Sequence, residues 1–273
     1  MRCLYAVLIL LMGLLPATAL AADSYKLSML PRYSSEEINR RISPLASYLA
    51  EKTGVNIEAV LTSDFAQYEK QLKSGSIALG YENPYIYTLV SDTHEALAMA
   101  VKGKDRDKFR GIVITRTDSG ISALTDLRGR KVSIVGTTSA GGYLSQKLSL
   151  MAVGIDVETD CTITEAVDNK QENVILAVYT GEADAGFIRE SALHQADSYI
   201  SPAQIRVVSD CAWLPNWAFS VDRALPAKMK KEIQAALLDL TPDHPVMQAL
   251  KIERFRSAAD QDYDPVRQAS NPH

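Results

Sequence analysis

An α/β fold of two similar lobes facing one cleft is predicted for this chain by three observations. Gly75-Ser76-Ile77-Ala78-Leu79-Gly80-Tyr81 and Gly181-Glu182-Ala183-Asp184-Ala185-Gly186-Phe187 lie 106 residues apart and share one pattern: a glycine, four residues, a second glycine and an aromatic. Helical and extended periodicities alternate through both halves, the mark of an α/β sheet. No long linker separates the halves, so short strands should join them. The first glycine of each pair is a helix cap, since glycine tolerates positive φ. The apolar stretch after it reads as a buried strand, and the second glycine as a sharp turn at its carboxyl end, where open α/β sheets bind ligands. Two such units suit a binding protein; the glycine pattern by itself equally fits two unrelated helix–turn–strand junctions.

Tyr25 to Leu30 is the first predicted strand. Ser34 with Glu37 makes a capping box, and Ile38, Ile42, Leu45 and Leu49 form one face of a helix ending at Gly54. Pro44 should kink or divide that helix. Val55 to Leu61 is extended, Asp64 to Ser74 helical, Ile77 to Tyr81 extended, Pro84 to Val90 helical and Ala96 to Val101 extended. Lys102 to Arg110 is a charged connection. Strands follow at Gly111 to Thr115, Lys131 to Val135, Asp184 to Phe187 and Ile205 to Ser209, with helices at Ala140 to Val153 and Asn169 to Tyr179. Trp217 to Val221 is a strand, and Pro226 suits the first position of a helix that buries Met229, Ile233, Leu237 and Leu240. Beyond Asp260 apolar periodicity stops, so residues 261–273 are expected to be loose.

Residues 1–21 read as a secretory signal peptide: a basic Met1-Arg2 start, an apolar run from Leu4 to Leu15, and Ala19-Leu20-Ala21 before cleavage at Ala22. Export to the periplasm follows. Without Arg2 the chain has 28 basic and 33 acidic residues, a net charge of −5, and no basic stripe, which argues against nucleic acid. Cys161 and Cys211 remain after cleavage; an oxidising compartment favours their pairing, and the loop of about 50 residues would add roughly 4 kcal/mol. Two buried thiols are the alternative. His94, His194, His244 and His273 are scattered, so no metal is expected, and no nucleotide loop or other cofactor motif occurs.

Four segments carry a family likeness: Pro44-Leu45-Ala46-Ser47-Tyr48-Leu49, Asn83-Pro84-Tyr85-Ile86-Tyr87, the loop Gly136 to Leu144, and Val178-Tyr179-Thr180-Gly181-Glu182-Ala183-Asp184-Ala185-Gly186. With matching order from about Ser28 to Leu240, the chain resembles the periplasmic phosphonate-, phosphite- and phosphate-binding proteins, substrate-binding subunits of ABC importers. The resemblance implies two α/β lobes with two crossovers: residues 22–110 in the first, 111–209 in the second, and 210–260 returning to the first. It implies a small ligand, an oxyanion, held at the helix start Thr137-Thr138-Ser139, where free N–H groups favour negative charge. Ala140 and Gly141 stand where two family hydroxyls are expected, and Gln171 where a histidine is usual.

First-lobe aromatics are implied over the ligand at Phe65 and Tyr87, with Tyr33 and Tyr85 in the same predicted loops. Asp184 would meet an amino group; Arg189 would pair an oxyanion or be solvated. Packing or capping is the competing role for these residues. The chain is expected to act as a monomer serving an ABC permease, or as an exported sensor subunit for a membrane histidine kinase. Catalysis is not expected, because no nucleophile elbow or paired histidine motif is present.

Overall fold

The computed structural model describes residues 24–102 and 106–270. The expected leader and its cleavage site lie outside them. In chain order come β1 (Ser24–Met29), α1 (Ser35–Thr53), β2 (Asn56–Ala59), α2 (Phe65–Lys73), β3 (Leu79–Glu82), α3 (Pro84–Val90) and β4 (His94–Val101). Then follow β5 (Lys108–Arg116), β6 (Lys131–Ile134), α4 (Ser145–Met151), α5 (Val157–Asp160), β7 (Thr162–Glu165), α6 (Gln171–Thr180), β8 (Ala185–Arg189) and β9 (Ile205–Pro215). The last are β10 (Ala218–Asp222), α7 (Ala227–Leu238), α8 (Pro245–Leu250), β11 (Arg254–Ser257) and α9 (Asp264–Ser270).

These strands build two sheets, one ordered β11-β4-β10-β3-β1-β2 and the other β7-β6-β8-β5-β9. The chain crosses between them twice, from β4 to β5 and from β9 to β10. β1, β2 and β3 run parallel, as do β6, β7 and β8. Other strands run against these, β10 and β11 in the first sheet and β5, between β8 and β9, in the second. The result is a two-lobed α/β fold with a cleft between the lobes. Among the described residues no helix is long and apolar enough to cross a membrane.

Ser34 caps α1 by accepting the Glu37 N–H, and Ile38, Ile42, Leu45 and Leu49 are buried beneath the helix. Pro44 does not divide it: α1 is continuous, and the carbonyl that loses its partner belongs to exposed Arg40, on the solvent side. Gly75 and Gly181 are left-handed, at φ +70° and +78°. Their partners Gly80 and Gly186 lie inside β3 and β8 and do not turn the chain. A Cβ on Gly186 would meet Val174 and Val178 at 2.7 and 2.8 Å, and one on Gly80 would meet Leu72 and Tyr68 at 3.0 Å. In both lobes, therefore, the second glycine lets a helix lie flat on its strand.

Three expectations are corrected. The return to the first sheet begins after Pro215, because β9 pairs with β5 as far as Pro215. Pro226 is the residue before α7, not its first. Residues 260–270 form a 3₁₀ turn and α9, anchored by fully buried Tyr263 and Val266: two apolar side chains suffice where periodicity is too short to read.

The disulfide is also corrected: both cysteines are free. Cys161 enters β7 and Cys211 lies in β9, the opposite edges of a five-stranded sheet. Four strand spacings of about 4.8 Å separate them by roughly 19 Å, whereas a disulfide needs Cα atoms within about 7 Å. Cys161 Sγ donates to the Leu127 carbonyl at 3.2 Å, and burial pushes the Cys211 thiol up to about 12.

The first lobe buries a polar cluster. Tyr68 donates to Glu82 Oε2 at 2.8 Å, and Ser220 Oγ lies 3.0 Å from His94 Nδ1. Burial raises Glu82 to about 7, against the pull of Ser220 and Tyr68. Folded Glu82 thus keeps a proton that the unfolded chain releases from pH 4.5 upward, so its contribution falls until pH 7 and then levels off. Burial lowers His94 to about 4, whose contribution is lost as pH falls below 6.5. The stability of Glu82→Gln relative to wild type should accordingly rise by on the order of 2–3 kcal/mol between pH 5 and 8. Urea titrations at the two pH values measure it; a flat difference would show that Glu82 is ionised in the fold.

Candidate anion site between the lobes

The carboxyl ends of β1 and β8 face each other across the cleft, and each delivers an arginine. After β1 the chain turns at Leu30, whose N–H donates to the Tyr81 carbonyl at 3.0 Å. This turn tucks Arg32 inward until only 5% of it is exposed. Its guanidinium lies 4.7 Å from the Tyr33 ring centroid and 5.6 Å from that of Trp217, yet Nε and Nη2 have no hydrogen-bond partner. Across the cleft, the Arg189 N–H is held by Gln171 Oε1 at 2.8 Å. The Arg189 guanidinium stacks 4.0 Å above Phe109 and reaches Asn216 Oδ1 at 3.4 Å. Lys102 and Asn216 come from the two crossovers. Together with Tyr33, Tyr81 and Trp217 these residues line a cavity of about 420 Å³.

Positive charge here is only partly neutralised. Arg41 is spoken for, with Nε and Nη2 on Glu37 at 2.8 and 2.6 Å and Nη1 on the Leu250 carbonyl. Among the described residues no carboxylate pairs with Arg32, Arg189 or Lys102. Burial, reinforced by Arg32, lowers Arg189 to about 9; burial and then Arg189 lower Lys102 as well. Burial alone would raise the Tyr33 phenol, but Arg32, Arg41, Arg189 and Lys102 together bring it down to about 8. A desolvated arginine without a counter-charge is costly, and an incoming oxyanion supplies both charge and acceptors.

Of the residues expected from sequence, Tyr33 and Arg189 line this cavity and Gln171 stands directly behind it. Arg189 is not simply solvated. The helix-start loop has other occupations: Ser139 Oγ accepts the Gly142 N–H at 3.1 Å, the Thr138 carbonyl accepts Asn83 Nδ2 at 3.2 Å, and the Thr137 N–H donates to Glu165 at 2.9 Å. Gly141 makes room for the arginine: a Cβ there would sit 3.0 Å from Arg189 Cβ and from Phe109 Cε2. The space beside Gly141 is filled by the stem of a cation.

The remaining expected contacts lie elsewhere. Tyr87 is wholly buried, donating to Asp260 at 2.8 Å and stacking on Tyr263. Phe65 is core, and half-buried Tyr85 packs outside the cavity. Asp184 precedes β8 at the end remote from Arg189, where Oδ2 accepts the Lys131 N–H at 2.9 Å. Arg32, Lys102, Asn216 and Trp217 were not anticipated. The available signals were positional: Arg32 follows the first strand, and the other three sit at crossovers, which must border a cleft.

The fold and this cleft define a two-lobed binding protein, and comparison with known proteins gives its family. Residues 27–263 match the family model described as the ABC transporter phosphonate periplasmic substrate-binding protein. The chain belongs to that family. It is 22% identical over 219 residues to the phosphate-import protein PhnD of Mycolicibacterium smegmatis, covering 74% of this chain and 67% of that protein. Its fold is similar to that of a binding protein component of an ABC phosphonate transporter from Pseudomonas aeruginosa, with TM-score 0.79, 16% identity and coverage of 91% and 86%. It is also similar to that of PhnD1 from Prochlorococcus marinus in complex with methylphosphonate, with TM-score 0.79, 12% identity and coverage of 90% and 97%. The importer-type binding protein therefore fits better than the sensor subunit.

Proposed function

We propose that this periplasmic substrate-binding protein captures a small phosphonate- or phosphate-type oxyanion between Arg32 and Arg189, and hands it unchanged to an ABC permease. One observation carries the reading: Arg32, buried with two unpartnered nitrogens, lines a cavity that a second arginine also lines. Tyr33 and Trp217 cover the ligand, and Asn216 adds a donor. Beyond Lys102 and Asn216 the space continues into a further cavity of about 610 Å³, which gives an organic substituent room. In this reading residues 24–102 and the segment after Pro215 form one lobe, residues 108–215 form the other, and the exported monomer performs no chemistry.

Calorimetry with phosphate, phosphite, methylphosphonate and sulfate tests the site. The anion favours protonated Tyr33 and charged Arg189, so binding should take up protons above pH 8. Affinity should fall about tenfold from pH 8 to 9.5 as Tyr33, at about 8, loses its proton and sets a phenolate beside the anion. Absence of binding by all four anions, or affinity that rises with pH over this range, refutes the reading.

A further inference from the structure

The segment Asp168-Asn169-Lys170 carries two of the three non-glycine residues with positive φ among the described residues. Asp168 and Asn169 are consecutive non-glycine residues in the left-handed region, at φ +56° and +53°. Such conformations cost of order 1–3 kcal/mol each and persist where surrounding contacts over-determine them. The contacts here reach across the cleft. Asn169 Nδ2 donates to the Val135 carbonyl at 2.8 Å within its own lobe, and Asn169 Oδ1 accepts the Phe65 N–H of the other lobe at 3.4 Å. Lys170, also on the second lobe, sends Nζ to the Pro31 carbonyl at 2.8 Å and to the Tyr33 carbonyl. These two carbonyls flank Arg32.

The next residue, Gln171, holds the Arg189 backbone at 2.8 Å. Residues 170 and 171 therefore fix both site arginines relative to one another, one across the cleft and one within the second lobe. Lys170 does this at an electrostatic cost. It is half-buried, and burial lowers its affinity for a proton, with Arg32 adding to the effect. The facing groups are few: Glu172 and Asp168 favour its charge, Arg32 opposes it, and its acceptors are neutral carbonyls. Bringing Lys170 onto the Arg32 turn gathers a further cation at the site, which an anion there offsets.

We infer that Lys170 is a positioning residue, a latch that holds the Arg32 turn against the second lobe once an anion lies between Arg32 and Arg189. The inference rests on the oxyanion reading. The latch contributes to retention of the ligand rather than to encounter, because Lys170 bridges the two lobes that enclose the site and does not itself reach the anion.

Stopped-flow and calorimetric binding of phosphate, phosphite, methylphosphonate and sulfate to wild type, Lys170→Met, Lys170→Arg and Arg32→Met tests it. For Lys170→Met the dissociation rate should rise about 10- to 100-fold with the association rate within about threefold of wild type. Small-angle scattering should show less compaction on binding than in wild type. Lys170→Arg, which can still donate to both carbonyls, should recover most of the retention. If Arg32→Met loses binding while Lys170→Met keeps the wild-type dissociation rate and compaction, the latch is wrong and the anion site stands. If Arg32→Met binds like wild type, or wild type binds none of the four anions, the oxyanion reading and the latch fall together.

Discussion

Arg32→Met should abolish high-affinity anion binding and, at the same time, make the ligand-free protein more stable. The two effects share one cause. Arg32 is 5% exposed and leaves Nε and Nη2 unpartnered, so the protein's own groups give this desolvated cation too few acceptors. Removing one partner of a buried charge pair costs about 2–5 kcal/mol of binding, or roughly 30- to 4,000-fold in affinity. Methionine keeps an unbranched apolar stem between Tyr33 and Trp217 while removing the charge that repels Arg189 and Lys102. The ligand-free variant should gain on the order of 1 kcal/mol, a melting rise of about 2–4 °C. Calorimetry and thermal melts read both. Unchanged affinity, or a loss of affinity accompanied by a large fall in melting temperature, would mean that Arg32 is structural.

Gly111→Ala is expected to have the largest effect on stability. Gly111 pairs with Arg189 in the β5–β8 ladder, and an added Cβ would meet Gln146 Nε2 at 2.2 Å and the Gly141 carbonyl at 2.5 Å. Gln146 is fully buried, and its Nε2 donates to the carbonyls of Ile112, Gly141 and Ile188 at 3.0, 3.0 and 2.9 Å. One amide thus ties β5, β8 and the turn before α4 together. Displacing it combines overpacking, about 1–3 kcal/mol, with at least one orphaned buried carbonyl, about 1–3 kcal/mol. A loss of roughly 3–5 kcal/mol should lower the melting temperature by about 10 °C. Anion binding should weaken too, since the shifted strand carries Arg189. Urea denaturation checks the estimate, and a change below 1 kcal/mol would show that the sheet accommodates the methyl group.

Several features were legible because local rules determine them. The Ser34–Glu37 capping box and the spacing of Ile38, Ile42, Leu45 and Leu49 specify α1 without help from distant residues. The paired glycine units were also legible as helix–strand junctions, since Gly75 and Gly181 need positive φ wherever the chain packs. Their second glycines were misread: whether glycine serves a turn or a close helix depends on what lies above the strand. The disulfide was misjudged for a related reason. Counting cysteines says nothing about which edge of a sheet each occupies.

The site shows the same division. Sequence placed Arg189 and Tyr33 among the candidates because each follows a strand at its carboxyl end. It also drew attention to Ser139, Thr138 and Tyr87, whose hydrogen-bonding groups the fold spends on Gly142, Asn83 and Asp260. For Tyr87 no local pattern reveals that the hydroxyl is already committed, because its partner Asp260 lies 173 residues away. What the sequence by itself determined was the two-lobed α/β class, the family and the strand ends that face the cleft, all properties of short-range periodicity and order. Only the tertiary structure decided which charges remain uncompensated there. Neutralisation of Arg41 by Glu37 and burial of Arg32 without a carboxylate partner are facts about neighbours in space, and electrostatic energy depends on those distances rather than on position along the chain.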